Sequence, residues 1–146
     1  MKTTPEILMV DDNPADIDLT REILAQSNGH YHMSAVKDGA EAISFLRQQG
    51  KYAEAPVPDL VVLDLNLPRK SGREVLAEVK SDPKLAKTPV VVFTTSQAST
   101  DVVRSYALGA NCYLRKPGNL PDFVALVQSM ASFWLGFASL PQKEQR

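Results

Sequence analysis

Cysteine is nearly missing from this chain. Cys112 is the only one in 146 residues, which excludes an intramolecular disulfide and suits a reducing compartment. A large net charge is missing too: 16 Lys and Arg against 17 Asp and Glu leave −1, so no global basic field draws in nucleic acid or an anionic membrane. No apolar stretch is expected to reach the roughly 18 residues of a membrane span. The opening MKTTPEILMVDD turns acidic too soon for a secretory signal peptide. There is no low-complexity tract, and neither a basic cluster nor room for a helix-turn-helix follows the last expected helix. These absences lead to the expectation of a cytoplasmic protein with no nucleic-acid and no membrane partner. What is present is a globular composition, 44% hydrophobic and 23% charged. One domain of this size buries roughly two thirds of its chain surface.

Apolar runs of strand length alternate with stretches of helical period. EILMV (6–10), YHMSAV (31–36), DLVVLDL (59–65), PVVVFTTS (89–96) and NCYLRKP (111–117) read as strands. Helices are expected after Asn13, where Pro14 and Asp16 mark a first turn, and over 38–50, 72–81, 99–110 and 120–134. Strands without a polar face are buried on both sides, as in a parallel sheet covered by helices. Helical crossovers of this length then give a doubly wound, flavodoxin-like α/β fold: a five-stranded parallel sheet in a (βα)5 three-layer sandwich. A single domain is expected over 5–138, with a short tail at 139–146.

In such sheets the working site lies beyond the carboxyl ends of the strands. Here those ends carry Asp11-Asp12, Asp64, Thr94-Thr95 and Lys116-Pro117. One strand-end Asp most often caps a helix or faces water. Three acids with Thr and Lys on one sheet rim form a chemical set. Clustered carboxylates repel, and a divalent cation relieves the repulsion. An all-oxygen ligand set suits Mg²⁺, with Mn²⁺ also accommodated, rather than zinc. Asp64, at the tip of VVLDLNLPRKSG (61–72), is the candidate nucleophile toward phosphorus. Lys116 would neutralise phosphoryl oxygens, Thr94 would donate a hydrogen bond, and a cis Lys116–Pro117 bond would aim the lysine at the site.

ILMVDDN, VVLDLNLPRKSG, VVVFTTS and YLRKP stand in the order and spacing of the receiver domains of two-component response regulators, and the chain resembles them from residue 6 to about 135. The resemblance implies that Asp64 is the phosphoacceptor. It also implies that Asp12 ligates Mg²⁺ directly, Asp11 through water and Asn66 through its backbone carbonyl. Thr94 and Tyr113 would be a switch pair and Lys116 the phosphoryl-binding cation. LDLNLPRKSGREVLAEVK, TTSQASTDVVRSYALGANCYLRKP and SFWL are similar to the small receivers that partner cyanobacterial phytochromes. The implied phosphodonor is a histidine kinase, of phytochrome type. The chain would then be a phosphorylation switch rather than an enzyme with turnover.

Ser96 stands where many receivers carry an acid or amide that orients hydrolytic water, which leads to the expectation of a long-lived phosphorylated form. An aspartate-nucleophile phosphohydrolase is the competing reading, but it needs a carboxylate two residues after the nucleophile, where Asn66 stands. A flavodoxin-like binding module would need a hydroxyl-rich phosphate loop where DDNPAD is acidic. Output is expected through protein contacts. Phe123, Leu126, Val127, Met130, Trp134 and Phe137 recur as one helical stripe expected to face the sheet, with Phe133 and Leu135 off it and Leu140 in the tail. Phe123, Met130, Phe133, Trp134 and Phe137 are candidate interface residues, for a homodimer built largely on the last strand and helix or for a kinase contact using the same patch.

Overall fold

The computed structural model describes residues 4–27 and 29–141, and residues 142–146 of the expected tail lie outside the described residues. The five apolar runs form β1 (Glu6–Val10), β2 (His32–Val36), β3 (Leu60–Leu63), β4 (Val90–Thr94) and β5 (Cys112–Arg115). They pair in parallel in the order β2-β1-β3-β4-β5, so the chain reverses direction across the sheet between β1 and β3. Between them lie α1 (Pro14–Gln26), α2 (Gly39–Leu46), α3 (Gly72–Ser81), α4 (Ser99–Ala107) and α5 (Leu120–Ala131). The expected three-layer α/β fold is the one observed.

Strand alternation sorts the core into two halves. Leu8, Val10, Val61, Leu63, Val90 and Val92 pack with α2 and α3 on one face. Ile7, Met9, Leu60, Val62, Val91 and Phe93 pack on the other with Ile17, Ile23 and Leu24 of α1 and Phe123, Val127 and Met130 of α5. Each half follows from the two-residue period of a strand whose faces are both covered.

Three helix ends differ from expectation, the one expected over 99–110 stopping at Ala107, just before Gly109 with its positive φ of 103°. The helix expected over 38–50 stops at Leu46, because Gln48 takes a positive φ of 54° and its side chain is tied to the Ala55 carbonyl at 2.7 Å. The last helix changes character after Ala131. Ser132–Phe137 is a π-helical segment, closed by the Ala138 amide on the Phe133 carbonyl at 2.7 Å.

The wider turn takes later residues off the stripe. Phe137, expected to face the sheet, is 84% exposed. Two proposed interface residues need correction for the opposite reason: Phe123 and Met130 are buried against α1 and the sheet, and neither is free for a partner. Phe133 is 54% exposed and stacks edge-on against the half-buried Trp134. A further correction concerns membrane length. Leu120–Phe137 is a continuous helical stretch of 18 residues, long and apolar enough to cross a membrane by length and composition. Of this stretch, Phe123, Val127, Met130 and Ala131 are buried in the core that covers the sheet.

Candidate functional site: an acidic rim with one buried lysine

The sheet register sets the strand tips level with one another. Val10 pairs with Leu63 and Thr94 with Arg115, so Asp11, Asp64 and Lys116 each follow directly on the sheet rim. Backbone bonds fix these exits: the Asp64 amide donates to the Val10 carbonyl at 2.9 Å and the Lys116 amide to the Thr94 carbonyl at 2.8 Å. Continuing the alternation, Asp11, Asp64 and Lys116 fall on the α1 face. Thr94 and Tyr113 fall on the other.

Asn13 caps α1 by accepting from the Ala15 and Asp16 amides, which turns the first helical turn toward the rim. Gly72 begins α3 against the backbone of Asp64 and Leu65. A Cβ there would collide with the Asp64 carbonyl and stand 2.6 Å from Leu65 Cα.

The result is a compact charge cluster. The ammonium of Lys116, only 5% exposed, lies 2.7 Å from Asp11 Oδ2, 2.9 Å from Asp16 Oδ2 and 3.1 Å from Asp64 Oδ2. The other oxygen of Asp64 accepts from the Thr94 hydroxyl at 2.8 Å and the Asn66 amide at 3.1 Å. Carboxylate oxygens of Asp11, Asp12 and Asp64 all lie within 4.8 Å of one another. Asp11 and Asp64 are buried, while Asp12 is open to solvent. Burial pushes the Asp11 carboxyl above its usual range, against the lowering by Lys116 and by the Asn13 amide. Burial alone would lower Lys116, but its hydrogen bonds to Asp11 and Asp16 and the charges of Asp11 and Asp64 outweigh this and hold it above the lysine range.

The three-acid set fits a hard divalent cation. Its donors are all oxygen, they converge, and one acid faces water. The Asn66 amide already lies against Asp64, which brings residue 66 to the same spot.

The expected cis bond is corrected: no peptide bond among the described residues is cis, and Lys116 reaches the rim through strand register with a trans Pro117. Tyr113 is half-buried and its hydroxyl donates to the Ser96 carbonyl at 3.0 Å. The Ser96 hydroxyl is engaged by Asp101, which also takes the Arg73 guanidinium. Asp16, Arg73 and Asp101 did not figure among the sequence candidates. For Asp16 the signal was present: it stands three residues after the helix cap that directly follows the acid pair.

The sequence comparison decides the family: residues 7–128 match the response regulator receiver domain. The chain belongs to that family. It is similar to response regulator Rcp1 of Synechocystis sp., with 50% identity over 135 residues, 92% of either chain. Among solved structures, that of the phosphorylated cyanobacterial phytochrome response regulator RcpA aligns with a TM-score of 0.93 at 49% identity, covering 96% of this chain and all of that one. The Mn²⁺-bound form of Rcp1 aligns with a TM-score of 0.91 at 48% identity, covering 94% of this chain and 99% of that one. As a receiver domain closely related to phytochrome response regulators, this chain is a switch of signalling type by family.

Proposed function

We propose that this receiver takes a phosphoryl group from a histidine kinase of phytochrome type onto Asp64, in the cytoplasm and with Mg²⁺, or Mn²⁺ in its place. The observation that carries the reading is the arrangement at Asp64, where one oxygen faces the buried Lys116 ammonium and the other the Thr94 hydroxyl. In the transfer, a carboxylate oxygen of Asp64 attacks phosphorus and the P–N bond to the kinase imidazole breaks. The electron pair stays on that nitrogen, which takes a proton, and no other reactant is consumed.

Asp11, Asp12, Asp64 and the Asn66 backbone carbonyl would hold the metal, whose charge would offset that of the phosphoryl oxygens. Lys116 supplies a fixed cation to the same oxygens, held in place by Asp11 and Asp16. Thr94 turns its hydroxyl from the carboxylate to the phosphoryl group, and Tyr113, bonded to the same loop at Ser96, registers that movement. Similarity to a phosphorylated phytochrome response regulator and to a Mn²⁺-bound one supports each half of the reading.

The test is phosphotransfer from autophosphorylated phytochrome-type kinases. The wild type accepts phosphate with Mg²⁺ and loses this with chelator, and Asp64→Asn accepts none. An Asp64→Asn variant labelled at the wild-type rate would overturn the assignment.

Output by contact with a second copy is supported by Phe133 and Phe137, exposed next to the half-buried Trp134 beyond α5. An apolar patch of this kind is what monomers avoid, and an isologous dimer on β5, α5 and the π-helical segment is the simplest way to cover it. In sedimentation the wild type is then a dimer and Phe133→Asp a monomer. A monomeric wild type in both phosphorylation states would leave the patch to a different protein.

A further inference from the structure

The loop from β4 to α4 is held at Ser96 from two sides. Its carbonyl accepts from the Tyr113 hydroxyl at 3.0 Å. Its own hydroxyl donates to Asp101 Oδ2, in the first turn of α4. The other oxygen of that carboxylate takes the guanidinium of Arg73, in the first turn of α3. The Arg73 side chain is partly exposed, its Nε is buried with no hydrogen-bond partner among the described residues, and the Asp101 carboxylate is the acceptor that offsets the partial desolvation of this cation.

α4 needs this support more than its neighbours. Its N-cap is Ala98, which makes no side-chain capping bond, whereas Asn13, Asp38, Ser71 and Asn119 cap α1, α2, α3 and α5. An uncapped start leaves first-turn amides without intrahelical partners. The Ser96 oxygen accepts from the Ala98 amide at 3.4 Å and the Asp101 amide donates to the Ala98 carbonyl at 3.0 Å, so the chain from Arg73 through Asp101 to Ser96 ties down the start of α4 without a side-chain cap.

Both ends of this chain rest on Asp64. Arg73 follows Gly72, which packs against the Asp64 backbone, and the loop begins at Thr94, whose hydroxyl is on the Asp64 carboxylate.

Building on the assignment of Asp64 as phosphoacceptor, we propose that Arg73 and Asp101 are positioning residues for phosphoryl acceptance. Their ion pair holds Ser96, and through it the β4–α4 loop, so that Thr94 stays over Asp64. Neither residue touches the phosphoryl group. Both act on the rate at which Asp64 is engaged, not on metal binding, which uses other side chains.

The test uses the full chain, phosphoramidate as the donor and saturating Mg²⁺, with phosphorylated protein followed by intact mass. Arg73→Gln and Asp101→Asn should each slow acceptance by about three- to fivefold, the size expected of one partly exposed ion pair. The double variant should be no slower than Asp101→Asn alone, since Arg73 reaches the loop only through that carboxylate. Arg73→Lys should recover part of the rate, and Mg²⁺ affinity by calorimetry should match wild type throughout. A merely structural pair would lower the melting temperature, leave the rate unchanged and give Arg73→Lys no advantage, which would overturn the proposal. Asp64→Asn in the same assay separates the two claims. If it is labelled, the acceptor assignment fails. If it is unlabelled while Arg73→Gln and Arg73→Lys both run at the wild-type rate, the assignment stands and the positioning role fails.

Discussion

Lys116→Met removes the cation that the rim is built around. Four carboxylates face this ammonium or one another, and Asp11 and Lys116 are 1% and 5% exposed. Deleting one partner of a buried pair leaves an uncompensated charge, which costs about 3–5 kcal/mol. At about 3 °C per kcal/mol for a chain of this size, the melting temperature without metal should fall by roughly 10–15 °C. Lys116 has its pKa raised, so its contribution is complete below the ordinary lysine value and is lost only as pH rises through the raised one. Neutral pH therefore reports it in full.

The same carboxylates form the expected metal site, so Mg²⁺ should rescue the variant more than the wild type. A ligand at 100 times its Kd adds about 2.7 kcal/mol, and the cation binds a more negative site once the lysine is gone. Urea unfolding with chelator and with saturating Mg²⁺ measures both quantities. An equal loss with and without metal would show that lysine and metal do not share these acids, and the reasoning would fail.

Asp11→Asn should stabilise the metal-free protein at neutral pH. Burial raises this acid, so its ionised form costs stability above the raised pKa, and the advantage of the variant should vanish as pH falls through that value. Unfolding across the acidic range checks it. Gly72→Ala forces a methyl into the Asp64 carbonyl and should cost about 1–3 kcal/mol. It should also slow phosphate acceptance although no acid is lost, read by denaturant midpoint and labelling rate together. Lys80→Met is the converse case. Its ammonium serves the Ala86 and Thr88 carbonyls and Asn111 Oδ1 at 2.9–3.0 Å, by the amino end of β4. Stability should drop by about 1–3 kcal/mol while the labelling rate stays at the wild-type value.

The strand tips were legible because a strand buried on both faces reads as an unbroken apolar run, and whatever polar residue ends it stands out. Asp11, Asp64, Thr94 and Lys116 were found that way. How Lys116 reaches the acids was not legible. Proline suggested a cis bond, whereas parallel register between β4 and β5 and strand alternation do the work. Arg73 and Asp101 lie 28 residues apart and meet only where the fold brings the first turns of α3 and α4 together, so no local pattern pairs them. The stripe expected to face the sheet ended where the helix changed pitch. Spacings of three and four keep residues on one face of an α-helix, but Ser132–Phe137 turns more widely. Phe123 and Met130, expected at the interface, are the helix's own contribution to the core.

Locating the phosphoryl group tests the central claim most directly. The chain is phosphorylated with Mg²⁺, reduced with borohydride so that an acyl phosphate becomes a stable alcohol, digested and mapped by mass spectrometry. The reduced residue should be at position 64 and no other, with none in Asp64→Asn. A modified residue at Asp11, Asp12 or any other position, with Asp64 intact, would contradict it.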